Sequence, residues 1–221
     1  MRKTRLKGKK VFFLGDSITE GAGASCYEKS FVPVFAEISG AEVKNYGGGG
    51  TRIARQTMKS QCEQHDRDFL ERVDEMASGA DVVVIFGGTN DFGHGDAKIG
   101  YFDSRNEYTF YGAMHLLCEK LMNKYPNADI VFITPLHRET ENAKIKENGL
   151  LNEIPLSGYV SIIKEVAGYY GLPVLDLFNT SGMQPSVEII KREYMPDGLH
   201  PSDKGAERIA KRLYKFLLKR Y

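Results

Sequence analysis

The chain has 221 residues, of which 42% are apolar, 27% charged and 11% aromatic. These values lie near the averages for folded soluble proteins, which excludes disorder, collagen and coiled coil, and the length fits one α/β domain over 1–221 that builds its core without staples. The net charge of +1 conceals basic ends: residues 1–10 and 204–221 leave 17 basic against 28 acidic residues between them, and an acidic middle argues against a nucleic-acid groove.

Along the chain, the basic start runs into an apolar stretch of only Val11 to Leu14. That is too short for a secretory leader or a membrane span, so a cytoplasmic protein is expected, with secretion the alternative and no membrane partner. Strand-length apolar runs follow at 10–14, 41–45, 82–86, 129–134 and 172–175. Val82 to Phe86 is apolar at every position, which suits a strand covered on both faces of a parallel sheet. Helical patterns lie between the runs, and this alternation predicts βαβ units in an open sheet.

Segments 92–108 and 137–156 fit neither period and are too long for ordinary connections, so they are expected to be functional loops. The first, extended to 111, carries Phe92, His94, Tyr101, Phe102, Tyr108, Phe110 and Tyr111. That aromatic density suits a sugar-stacking or acyl pocket, although Phe110 and Tyr111 fit the start of a core helix better. The last helix is the clearest: Ser202 can cap it, and Ala206, Ile209, Ala210, Leu213, Phe216 and Leu217 form one stripe. Cys26, Cys62 and Cys118 form no CxxC and no cluster with histidine, so reduced, partly buried thiols are expected rather than disulfides or zinc.

Ligands of open α/β sheets gather beyond the carboxyl ends of the strands. The residues there are Gly15-Asp16-Ser17-Ile18, then Asn45-Tyr46-Gly47-Gly48-Gly49-Gly50, then Gly88-Thr89-Asn90-Asp91, and, before the last helix, Asp197-Gly198-Leu199-His200. A serine nucleophile needs a base in reach and a carboxylate to fix that base's tautomer, which His200 and Asp197 could supply. Each piece also has a plain reading: Ser17 as a helix cap, Asp197 and His200 as a solvated loop, Asn90 as a turn former, the glycines as a flexible turn or an anion nest. No Gly-Lys-Ser/Thr follows the glycines, so a Walker loop is excluded.

These four blocks, in this order, resemble the GDSL/SGNH hydrolase superfamily over roughly residues 11–210. The resemblance implies a three-layer, flavodoxin-like α/β/α sandwich with about five parallel strands. It implies Ser17 as nucleophile, His200 as general base and acid, and Asp197 as the residue orienting His200. The backbone N–H of Ser17, that of Gly50 (with Gly49 the alternative) and the side chain of Asn90 would form the oxyanion hole. Asp16, Asp91, Phe92, His94 and His137 are candidates for substrate contact. No cofactor or metal is expected.

The expected activity is hydrolysis of small soluble acyl esters, with O-acetyl groups on carbohydrates favoured. A lysophospholipase- or thioesterase-type acylhydrolase is one alternative. A metal-assisted phosphoesterase using Asp16, Asp91, Asp197 and His200 is another, and a non-catalytic carbohydrate-binding module a third.

Overall fold

The computed structural model describes residues 6–220. Its strands are β1 (Lys10–Gly15), β2 (Glu42–Gly47), β3 (Val82–Phe86), β4 (Asp129–Ile133) and β5 (Val174–Leu175). All pair in parallel, in the order β2-β1-β3-β4-β5. The helices are α1 (Ser17–Glu20), α2 (Phe31–Ser39), α3 (Phe69–Glu75), α4 (Thr89–His94), α5 (Phe110–Lys124), α6 (Leu156–Tyr169), α7 (Leu177–Thr180), α8 (Glu188–Tyr194) and α9 (Asp203–Leu218). Among the described residues no helix is long and apolar enough to cross a membrane.

The two-residue period of a strand sends neighbouring side chains to opposite faces, and both faces are covered. Val11, Phe13, Val84, Phe86 and Val131 pack with α2 and α9. Phe12, Leu14, Val83, Ile85 and Phe132 pack with α3, α5 and α6. The result is the expected α/β/α sandwich with five parallel strands. Register sets the site: Gly15 lies opposite Gly47 on one side and Phe86 on the other. The chain therefore leaves β1, β2 and β3 at one level, at the switch point between β1 and β3 where successive connections diverge.

All five expected strands are present, with shifted ends. β5 keeps only two of the four residues expected, because Leu172 N–H donates to Ala167 O at the end of α6 and Pro173 has no N–H for the ladder. α9 forms as read, with Ser202 Oγ accepting from Gly205 N–H and the stripe buried save for the half-buried Phe216.

The segment expected to be irregular from residue 92 begins inside α4, whereas 137–155 carries no helix or strand. Phe110 enters the core and Tyr111 packs on it, while Phe102 packs edge-on against His115 and Tyr169. The aromatic density of 92–111 thus goes largely to the α5–α6 face and the core, not to a substrate-stacking wall. The three cysteines are free, but Cys26 and Cys62 are exposed and only Cys118 is buried.

Candidate active site

Asp16 is extended and caps α1, its Oδ1 accepting from Ile18 N–H at 3.0 Å. Ser17 is consequently the first residue of α1, where a backbone N–H has no intrahelical acceptor. Its Oγ lies 3.0 Å from His200 Nε2, 183 positions away in the chain. His200 Nδ1 lies 2.7 Å from Asp197 Oδ2, while Asp197 Oδ1 accepts from the N–H of Leu199 at 2.9 Å and of His200 at 2.7 Å.

A carboxylate only accepts, so Nδ1 carries the ring proton and Nε2 presents its lone pair to the serine hydroxyl. Partial burial works to raise the Asp197 carboxyl, but the His200 ring and the two N–H donors outweigh it and hold it below the usual carboxylate range. The loop is fixed from both sides. Glu139 N–H donates to Gly198 O at 2.8 Å, and Gly23 passes so close that a Cβ there would sit 2.7 Å from His200 Cβ.

The glycine run arrives beside this relay. A Cβ on Gly49 would lie 4.0 Å from Ser17 Cβ, and one on Gly50, whose φ is +69°, would lie 2.3 Å from the His65 ring. A residue with a side chain at 50 therefore meets both backbone strain and a collision. Asn90 is buried at the start of α4 and donates one amide N–H to Thr51 O at 3.0 Å, which leaves its second N–H. The N–H donors proposed from the sequence and the hydroxyl thus converge on one end of the sheet.

Three of the substrate-contact candidates are buried. Asp16 is 1% exposed, and burial pushes its carboxyl up to about 7 against the opposing N–H of Ile18. Asp91 is also buried, and its two oxygens accept from the N–H groups of Ile53 at 3.0 Å and Ala54 at 2.9 Å. Its carboxyl is raised by burial despite those donors. Its carboxylate thereby holds the loop after the glycines. Phe92 is buried in the core.

Of the carboxylates of the phosphoesterase alternative, Asp16 and Asp91 are buried and already accept from backbone N–H groups. Among the described residues no group of three or more His, Cys, Asp or Glu side chains is placed to hold a metal ion. His137 is committed elsewhere, 2.6 Å from Glu141 Oε2 and stacked on Phe178 at 3.9 Å. His94 lines a cavity next to the Gly50 turn.

Several residues at the site gave no signal in the sequence. Arg72 lies on α3 among charged residues, yet it is buried and donates to Gly15 O, Thr51 Oγ1 and Tyr46 O. It ties together the exits of β1 and β2. The irregular 138–148 stretch binds α4 through its carbonyls. Arg138 donates to Thr89 O at 3.2 Å and buried Lys146 to Asp91 O and Gly95 O at 3.0 and 2.7 Å. Glu147 N–H reaches Gly93 O at 2.9 Å, and Asn148 Nδ2 reaches His94 O at 2.8 Å. A six-residue helix is marginal by itself; this stretch holds it, and with it Asn90.

The chain belongs to the GDSL-like lipase/acylhydrolase family, whose model matches residues 13–208. One solved crystal structure is similar at 34% identity over 97% of this chain and 98% of its own, with a TM-score of 0.84. A protein from Lactobacillus plantarum is similar at 27% identity over 98% of this chain and 100% of its own, TM-score 0.82. The lipase/acylhydrolase from Enterococcus faecalis shares the fold, at 21% identity over 96% of both chains and a TM-score of 0.65. No curated protein matches the chain. Membership makes the protein a hydrolase of the esterase/lipase kind.

Proposed function

We propose that the protein is a serine esterase for small soluble acyl esters, with O-acetyl groups on carbohydrates as the favoured substrates. The observation that carries this is the unbroken relay from Ser17 Oγ to His200 Nε2 at 3.0 Å and from His200 Nδ1 to Asp197 at 2.7 Å. His200 Nε2 takes the hydroxyl proton as Oγ bonds to the ester carbonyl carbon. The carbonyl oxygen gains the negative charge and is received by the N–H of Ser17, the N–H of Gly50 and the amide of Asn90. The imidazolium then returns its proton to the departing alcohol oxygen, leaving an acyl-enzyme on Ser17. Water adds to that acyl carbon as His200 again takes a proton, and the carboxylic acid leaves as the serine hydroxyl is restored.

Two features support a short acyl group on a polar alcohol. The cavity beside Gly50 is lined mainly by polar and charged side chains, Arg52, His65, His94 and Asp96 among them, with Met58 as its apolar side chain, whereas a long acyl chain needs a mostly apolar wall. Of the exposed large apolar side chains among the described residues, only Met58 lines this cavity.

The test is turnover of chromogenic esters of increasing acyl length, and of acetylated sugars, by wild type and Ser17→Ala. Acetyl esters should be cleaved fastest, a serine-directed phosphonate should inactivate the wild type, and Ser17→Ala should lose at least about 10³-fold in kcat. Full turnover by Ser17→Ala would refute the mechanism. Sugar binding without turnover of any ester would instead favour a binding module.

A further inference from the structure

The cavity beside the Gly50 turn has a volume of about 350 Å³ and is walled by Arg52, His65, His94, Asp96 and Glu147 among others. Its place follows from two contacts: the His65 ring abuts Gly50, and His94 stands one helical turn after Asn90 on α4. Two of its wall residues therefore adjoin groups proposed to receive the oxyanion.

Within it, the ring of His94 has a fixed polarity. Arg52 is 4% exposed, and its Nε and Nη2 lie 3.1 and 2.6 Å from His94 Nδ1. The same guanidinium is held by Ser60 Oγ and His65 O. A guanidinium only donates, so Nδ1 accepts and the ring proton is on Nε2. Burial first and the Arg52 charge second push His94 down to about 4, which keeps the ring neutral near neutral pH. His94 thus offers one N–H donor, at Nε2, to whatever enters.

We propose that this cavity receives the alcohol part of the ester, a neutral hydroxylated group of about sugar-ring size, and that His94 Nε2–H donates to one of its oxygens. The assignment rests on the esterase reading of Ser17. An alkyl acyl chain in the same place would strip water from Nε2–H and return no hydrogen bond. An anionic group would meet the carboxylates of Asp96 and Glu147 as well as the cations of Arg52 and Lys59, so the walls offer it no net attraction. Hydroxyls satisfy the donor and tolerate both carboxylates.

The test compares kcat/KM for a mono-O-acetylated methyl glycoside with that for p-nitrophenyl acetate, in wild type, His94→Leu and His94→Gln. It also measures competitive inhibition by the same glycoside without its acetyl group. In His94→Leu the glycoside-to-aryl ratio should fall at least about tenfold, mostly through KM, and the glycoside should inhibit correspondingly less. Gln, whose amide can accept from Arg52 and donate into the cavity, should recover most of the ratio. A His94→Leu ratio within about twofold of wild type would overturn the proposal, as would a loss that His94→Gln fails to recover. If wild type cleaves neither ester, the esterase reading itself fails; if it cleaves the aryl ester and the ratio ignores residue 94, the cavity assignment fails alone.

Discussion

Replacing Asp197 by Asn should cost more activity than replacing it by Ala, although Asn is the closer isostere. In the wild type, Oδ1 accepts from two backbone N–H groups and Oδ2 from His200 Nδ1. In Asp197→Asn the new amide would keep its carbonyl toward the two N–H donors, since an NH₂ there would face donors with donors. Its NH₂ would then point at Nδ1, which must accept, and the ring proton would move to Nε2, opposite Ser17 Oγ. The base would have no lone pair for the hydroxyl.

With Ala, Nδ1–H can turn to water, because the Asp197 side chain is 55% exposed, and the useful tautomer survives. Loss of one charge-assisted hydrogen bond, about 1.5–3 kcal/mol, puts Asp197→Ala roughly 10- to 150-fold below wild type in kcat. Enforcing the wrong tautomer costs on the order of 10⁴ in a buried serine–histidine–aspartate site, and water access here lowers the expectation for Asp197→Asn to about 10³. The assay is kcat on a chromogenic acetyl ester across a pH range, with thermal melts to show that both variants fold. Asp197→Asn more active than Asp197→Ala, or either variant near wild type, would refute the assigned tautomer and with it the orienting role.

Lys146→Met should destabilise the protein by about 1–3 kcal/mol, since it strips a buried donor from Asp91 O and Gly95 O. As α4 loosens, Asn90 should drift and kcat should fall more than KM rises; an unchanged urea midpoint with unchanged kcat would show that the clamp does nothing. Asp16→Asn should keep the α1 cap while removing a carboxyl whose folded value, about 7, lies above its ordinary 3.8. Between those values the folded protein holds a proton that the unfolded chain has released, so wild-type stability falls as pH rises through the window. The variant should therefore gain on wild type by on the order of 2–3 kcal/mol between pH 5 and pH 8, read from unfolding midpoints. A difference that is constant across that range would rule out the linkage.

What could be read from the chain was local or periodic. β3 was legible because a strand buried on both faces needs unbroken apolar residues, whereas β2 at the sheet edge mixes charged and apolar residues and is nowhere fully buried; α9 was legible because its stripe and its Ser202 cap lie within a few turns. The blocks holding Ser17, Gly50 and Asn90 were legible because parallel strands deliver their carboxyl ends to one level; the block holding His200, which lies between α8 and α9 and follows no strand, was joined to them by the family resemblance.

Tertiary structure alone decided which charged and polar groups turn inward. Asp16, Asp91, Arg52, Arg72 and Lys146 are residue types found mostly on surfaces, and nothing beside them in sequence marks them as buried. Their partners are remote, Arg72 meeting Gly15 across 57 positions and Lys146 meeting Asp91 across 55. Desolvating such groups is costly unless the folded chain supplies their hydrogen bonds, so their placement, and the polarity of His94 that follows from it, depends on contacts that exist only once the sheet and its loops have assembled.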